Sequence, residues 1–147
     1  MMPIHKPFDV DNYDANDASG KEAVIRFLQT QGLSAEENPD KYGIDLIANG
    51  TTYNGQVFDN VPVEVERRII WNKNFPFSTV HVPERKTKFL KHYMLYAVVN
   101  LNYDKVMFCT SNIIKQYEPI EVPNKSIAND EYFYNVPLNL WKTYDIN

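Results

Sequence analysis

Apolar positions along this chain follow two different periods. Between residues 20 and 31 they fall at Ala23, Val24, Phe27 and Leu28, a spacing that collects them on one face of a helix. Ser19 followed by Glu22 reads as a capping box and Gly32 as a C-cap glycine, so a helix is predicted over 20–31. Residues 1–18, rich in Asp and Asn and lacking an apolar period, read as an irregular lead-in.

Beyond the helix the pattern shortens to that of strands. Residues 33–40 suggest a short edge strand and a turn at Asn38-Pro39. Tyr42–Ala48 reads as the first clear strand, closed by an Asn49-Gly50 hairpin turn, with Thr51-Thr52-Tyr53 returning and a second turn at Asn54-Gly55. Val61–Ile70 is the longest strand candidate. Alternation there puts Glu64, Glu66 and Arg68 on one face and Val63, Val65 and Arg67 on the other. Trp71–Phe77 reads as an ordered loop with partly buried aromatics, and Thr79–Val82 as a short strand. A helix is predicted over 84–92, with Pro83 at its first turn. Tyr93–Leu101 is almost wholly apolar, as expected of a strand covered on both faces, and Lys105–Thr110 is its partner. Ser111–Tyr117 suits a short helix, and the tail from Glu118 suits strand or irregular packing. The order helix, three strands, helix, buried strand predicts an α/β fold: a mixed central sheet flanked by helices, in one domain over 1–147, with 111–147 packed on a core of about 20–110.

Composition adds bounds. With 147 residues, 44% hydrophobic and 14% aromatic, the chain can bury a core of its own. The single cysteine, Cys109, excludes an internal disulfide framework and a cysteine zinc site. Its apolar surroundings favour a buried structural thiol. No run suits a bilayer span, and the N-terminus has no signal-peptide pattern, so a cytoplasmic protein is expected. The formal charge of −4 is unevenly spread: residues 64–91 hold seven Lys and Arg against three acids, about +4, and the remainder is about −8. Arg67, Arg68, Lys73, Arg85, Lys86, Lys88 and Lys91 could contact phosphates, although a solvated helix face explains the last three as well. His81 is most simply a strand histidine. Patterns for serine hydrolases, P-loop enzymes and zincins are absent.

The carboxylates on strand positions carry the chemistry. Asp45 in Gly43-Ile44-Asp45-Leu46-Ile47 and Glu64 and Glu66 in Val63-Glu64-Val65-Glu66 occupy places that could have been apolar. Carboxylates gathered on a sheet repel one another unless a cation sits between them, which points to a divalent metal. Alternatively, Glu64 and Glu66 pair with Arg67, Arg68 or Lys73 on a solvated strand face. Glu22 serves either the capping box or the sheet top near Asp45.

A helix with a Glu, an Asp on a strand, Glu-x-Glu on the next strand, and then a helix and a buried strand resembles the PD-(D/E)XK nuclease superfamily over about residues 20–110. The resemblance implies a restriction-endonuclease-like α-β-β-β-α-β core and Mg²⁺- or Mn²⁺-dependent hydrolysis of phosphodiesters in DNA. Asp45 and Glu64 match the motif's metal-binding acids, and Glu22 matches a first-helix glutamate that would support the metal. The literal Pro39-Asp40 is also present, but Asp45 lies on the better strand and closer to Glu64. Glu66 stands where a lysine is expected. It implies a BamHI-like general base or extra ligand, or a cation supplied instead by Arg68, Arg85 or Lys86, or a site that has lost activity on a fold kept as a binding or scaffold module. Cutting both strands of a duplex would suit a homodimer.

Overall fold

The computed structural model describes residues 10–39, 44–83, 93–122 and 131–146. In chain order they form α1 (Val10–Thr30), β1 (Leu33–Glu37), β2 (Leu46–Thr51), β3 (Val57–Arg67), β4 (Thr79–Pro83), β5 (Leu95–Val99), β6 (Lys105–Thr110), α2 (Ser111–Ile114), β7 (Ile120–Val122), β8 (Glu131–Pro137) and β9 (Lys142–Asp145). Six strands make a mixed sheet in the order β1-β2-β3-β5-β6-β9, and the other three make a small sheet in the order β4-β8-β7. Within the large sheet β3 and β5 are parallel, and the other neighbours are antiparallel. The fold is therefore α/β with a mixed sheet, as expected. The helix predicted over 84–92 lies outside the described residues.

Each face of the large sheet has its own cover. Ala23, Val24, Phe27 and Leu28 of α1 pack on Leu46, Ala48, Val61, Val63, Val65, Leu95, Ala97 and Val99. Period 3.6 on the helix meets period 2 on the strands, so two amphipathic elements close a dry layer. On the opposite face, Tyr96, Val98, Met107 and Cys109 meet Val80, Val82 and Val136 of the small sheet, together with Trp71, Ile114 and Trp141. Among the described residues this second face is thus covered by a sheet and not by the expected helix. Its strands come from β4 and from the tail, whose pairing joins segments some 55 residues apart.

Three local expectations are corrected. The helix begins by Val10, so Ser19 is an exposed interior residue and not the N-cap. A run of Asp and Asn has low helix propensity, yet it contains no proline to stop a helix continued from the packed segment beyond it. Second, Asn49-Gly50 is not the hairpin turn. β2 runs through it with a register shift, Gly50 takes φ 123°, and Asn49 pairs side-on with Asn60, which is itself at φ 48°. Asn60 N–H donates to Asn49 Oδ1 at 2.7 Å, and the Asn49 amide donates to Asn60 Oδ1 at 3.1 Å. The two asparagines thus satisfy the groups that a bulge would otherwise orphan. Third, Thr51–Tyr53 is not a returning strand: the turn falls at Tyr53-Asn54-Gly55, where Gly55 has φ 93° and donates to Thr52 O at 2.9 Å. The longest strand accordingly starts at Val57 and ends at Arg67, leaving Ile69 and Ile70 exposed.

Candidate functional site

The acids of interest gather where β2 begins and β3 nears its end. Leu46–Val63 is the last pair of the β2–β3 ladder on this side, and Asp45 and Glu64 are the residues next beyond it on the two chains. β2 is not yet formed at Asp45, and the Val65 N–H is met by a side chain instead, donating to Asp45 Oδ2 at 2.9 Å. The other oxygen, Oδ1, lies 3.9 Å from Lys21 Nζ, which is also 3.6 Å from Glu37. α1 reaches this corner because Gly20 sits over Val65 and Val99, where a Cβ would make ordinary contact at 3.6 and 3.8 Å.

Glu64 is buried at 9% exposure and faces away from α1, opposite Tyr96 of β5 in the register. A buried carboxylate is held there only with compensation, and Glu64 does have polar company within the protein. Two residues on, Glu66 is clasped. Arg68 Nε lies 2.9 Å from Oε1, Arg68 Nη2 donates to Oε2 at 3.1 Å, and the Tyr96 hydroxyl also donates to Oε2. Arg68 Nη2 further donates to the carbonyl of His81 in β4, tying the two sheets together. Burial is the main force pushing the Tyr96 hydroxyl well above its ordinary range, with the Glu66 charge adding to it, so the phenol remains a donor.

The predicted residues therefore separate. Glu66 and Arg68 are joined, Glu64 lies two residues before Glu66 on the same strand, and Asp45 meets β3 at Val65 from the α1 side. Glu22 is exposed, and Lys21 is the residue of that turn that reaches Asp45. Sequence reasoning missed Lys21, although the signal was present. Lys21 stands three and seven positions before the buried Val24 and Leu28, whereas Glu22 lines up with the exposed Arg26 and Gln29. Tyr96 was also missed, for a different reason: its run is apolar throughout, and only the β3–β5 register brings it to Glu66. Among the described residues no group of three or more His, Cys, Asp or Glu could hold a metal ion, so Asp45, Glu64 and Glu22 do not form the expected three-carboxylate set.

The basic set is similarly divided. Arg67 Nη2 donates to Leu101 O at 2.7 Å, and its guanidinium lies 4.6 Å from the Tyr103 ring centroid, so it secures the β5–β6 turn. Lys73 is exposed on the 71–78 loop. Arg85, Lys86, Lys88 and Lys91 lie outside the described residues. His81 is exposed and packs against Phe133. Cys109 is buried at 2% exposure, and desolvation pushes its thiol up to about 12, which bears out a structural thiol.

A cleft of about 440 Å³ opens elsewhere, walled by Phe27, Phe58, Tyr93, Phe108 and Tyr144 with Lys142 beside them. None of the predicted site residues lines it. Among the described residues no helix is long and apolar enough to cross a membrane. In comparisons with known proteins, the chain matched no family model and no curated protein.

Proposed function

We propose that this is a nuclease-fold protein that hydrolyses phosphodiester bonds in DNA with Mg²⁺ or Mn²⁺, using Asp45 and Glu64. The observation that supports the reading is that Asp45 precedes the Leu46–Val63 pair and accepts from the Val65 N–H, which brings it to the stretch of β3 that carries the buried Glu64, with only a loose approach by a cation. The described order adds support for the first part of the α-β-β-β-α-β core: α1 is followed by the β1-β2-β3 meander, and β5 lies parallel to β3, whereas the core's second helix falls on residues outside those described.

The donor set suits a hard cation of modest demands. Mg²⁺ is commonly bound by one or two carboxylates, with waters and phosphate oxygens filling the other positions. A third protein acid is therefore unnecessary. When bound, the ion would supply charge stabilisation at the phosphoryl oxygens and a more acidic water. The chain's own part is positional. The Val65 N–H holds one Asp45 oxygen and leaves Oδ1, 3.9 Å from the Lys21 ammonium, for a cation. The β2–β3 ladder fixes Glu64 directly and ends one residue short of Asp45, which the Val65 N–H then holds beside it.

One observation favours a second reading. Glu66 Oε2 accepts from Arg68 and Tyr96, and Oε1 lies 2.9 Å from Arg68 Nε, as expected if the corner has become a structural knot and the fold serves as a DNA-binding or scaffold module. Cleavage of single-stranded, duplex and branched DNA with Mg²⁺ or Mn²⁺ separates the two. Metal-dependent cleavage by the wild type, lost on the order of 10²-fold or more in Asp45→Ala, is expected for the nuclease. Equal cleavage by both proteins would overturn the site assignment, and no cleavage by the wild type would favour the module.

A further inference from the structure

Glu66 occupies the place of an expected lysine, and its surroundings say what replaced it. A general base or metal ligand needs a lone pair open to water or ion. Here Oε1 faces Arg68 Nε at 2.9 Å, while Oε2 accepts from Arg68 Nη2 at 3.1 Å and from the Tyr96 hydroxyl. Arg68 folds back along its own strand to make this contact. Two residues on a strand span about 6.7 Å, a distance that an arginine side chain bridges. Its backbone is also fixed, with Arg68 N–H donating to Val99 O at 2.9 Å, and Nη2 reaches His81 O across to the small sheet.

Glu66 and the His81 carbonyl thus hold the guanidinium through Nη2, while Nε lies 2.9 Å from Oε1 but is buried without a hydrogen bond among the described residues. Among the same residues Nη1 makes no hydrogen bond, and the side chain keeps 20% of its surface exposed. A planar cation held through one nitrogen, with donors to spare, is suited to a tetrahedral oxyanion, because the cost of ordering a long flexible side chain has been met in advance.

We infer that Arg68 is the cation this corner presents to a phosphodiester oxygen, and that Glu66 and Tyr96 are positioning residues that hold it. The inference rests on the nuclease reading for its substrate, but it changes the role of Glu66 from acting on water to acting through Arg68. The Tyr96 hydroxyl donates to the same Glu66 oxygen that accepts from Arg68 Nη2, so one carboxylate oxygen ties both side chains together.

The test compares Arg68→Met, Arg68→Lys, Glu66→Gln and Tyr96→Phe with the wild type, in DNA binding over a range of salt and in Mg²⁺-dependent cleavage over a range of pH. Arg68→Met should lose about 10²–10³ in kcat and about one unit of the salt slope of DNA binding. Arg68→Lys, which keeps the charge, should recover the slope and part of kcat, a rescue that a purely structural role would not give. Glu66→Gln and Tyr96→Phe should lower kcat by about tenfold or less, with the acidic limb of the pH profile still present. Disappearance of that limb in Glu66→Gln would make Glu66 the base and overturn the inference, as would Arg68→Met that binds and cleaves like the wild type. If the wild type binds DNA without cleaving it, the nuclease reading fails and the binding arm still decides. A lower slope in Arg68→Met then upholds the phosphate contact, and an unchanged slope overturns it. Absence of any DNA binding overturns both.

Discussion

Two cation–carboxylate contacts flank the end of β3, and they are built differently. On the α1 side Lys21 approaches Asp45 at 3.9 Å and Glu37 at 3.6 Å, distances at which an ammonium exerts a field without a well-formed hydrogen bond. On the other side Arg68 meets Glu66 edge to edge, with Tyr96 completing the clasp. The faces behind them differ too. Behind Lys21 the layer is built on apolar residues, with Leu46, Val63, Ala97 and Val99 fully buried. Behind Arg68 the interior holds Glu64, Tyr96 and Cys109 among its hydrophobic residues. The helix-covered face serves stability, since none of its fully buried side chains titrates. On the sheet-covered face the Tyr96 hydroxyl donates to Glu66 and Glu64 has polar company, whereas Trp141 Nε1 is buried without a hydrogen-bond partner among the described residues. Loose pairing leaves Asp45 able to exchange its cation, and tight pairing holds Glu66 to Arg68.

The strongest way to sharpen this contrast is to damage the apolar face. Leu46→Ala removes a fully buried side chain at the Leu46–Val63 pair, and the rigid strands around it can collapse only in part. A loss of about 2–5 kcal/mol is expected by chemical denaturation. A loss well below this would mean that the helix-covered layer is not the stabilising one.

The sheet-covered face should reveal itself through pH. The native Cys109 thiol stays protonated up to about 12, whereas an unfolded cysteine ionises from about 9.0. Its contribution to stability is therefore fully present below pH 9 and is lost as pH rises from 9 towards 12. The loss should reach on the order of 2 kcal/mol two units above the ordinary thiol range. Tyr96, shifted upward chiefly by the same desolvation, adds to the decline above pH 10. Melting curves of wild type and Cys109→Ala should diverge from pH 9 upward, with the variant flatter. Parallel curves would show that the thiol is accessible in the native state. A thiol reagent at pH 8 should likewise label the protein only after unfolding.

How much of this was legible beforehand depends on the range of the cause. The α1 stripe, the alternation in Val63–Arg68, the buried run of β5 and the Asn54-Gly55 turn are local patterns, and each appears where the sequence predicts it. Asn49-Gly50 carries the same local turn signal, but a bulge used it, because the compensating asparagine, Asn60, lies eleven residues away. The small sheet was illegible for a related reason: β4 and β8 look like any short strands, and their pairing is a tertiary matter. At the candidate site, Glu64 and Glu66 could be read as strand acids, whereas Asp45, expected on a strand over Tyr42–Ala48, stands one residue before β2 begins. What distinguishes Asp45 from Glu66 is which partner each one meets, and those partners come from α1 and from β5. Lys21 could have been found from helical phase, whereas Tyr96 could not.

The smallest effect, and the most specific to the contrast, is expected from Lys21→Met. The substitution keeps an unbranched side chain at this position of α1 and removes the charge. Asp45 retains the Val65 N–H, and both contacts of Lys21 are long, so stability at neutral pH should change by no more than about 1 kcal/mol. A loss above about 2 kcal/mol would show that the Lys21–Asp45 pair is held as tightly as Arg68–Glu66. Metal response gives the complementary reading. A divalent ion at Asp45 and Glu64 would share its surroundings with the Lys21 ammonium, and like charges a few ångströms apart repel. Removing that charge should lower the Mg²⁺ or Mn²⁺ concentration needed to raise the melting temperature, whereas Arg68→Met, which removes a cation already engaged by Glu66, should shift it less. The opposite order would assign the exchangeable carboxylate to Glu66 and reverse the roles of the two faces.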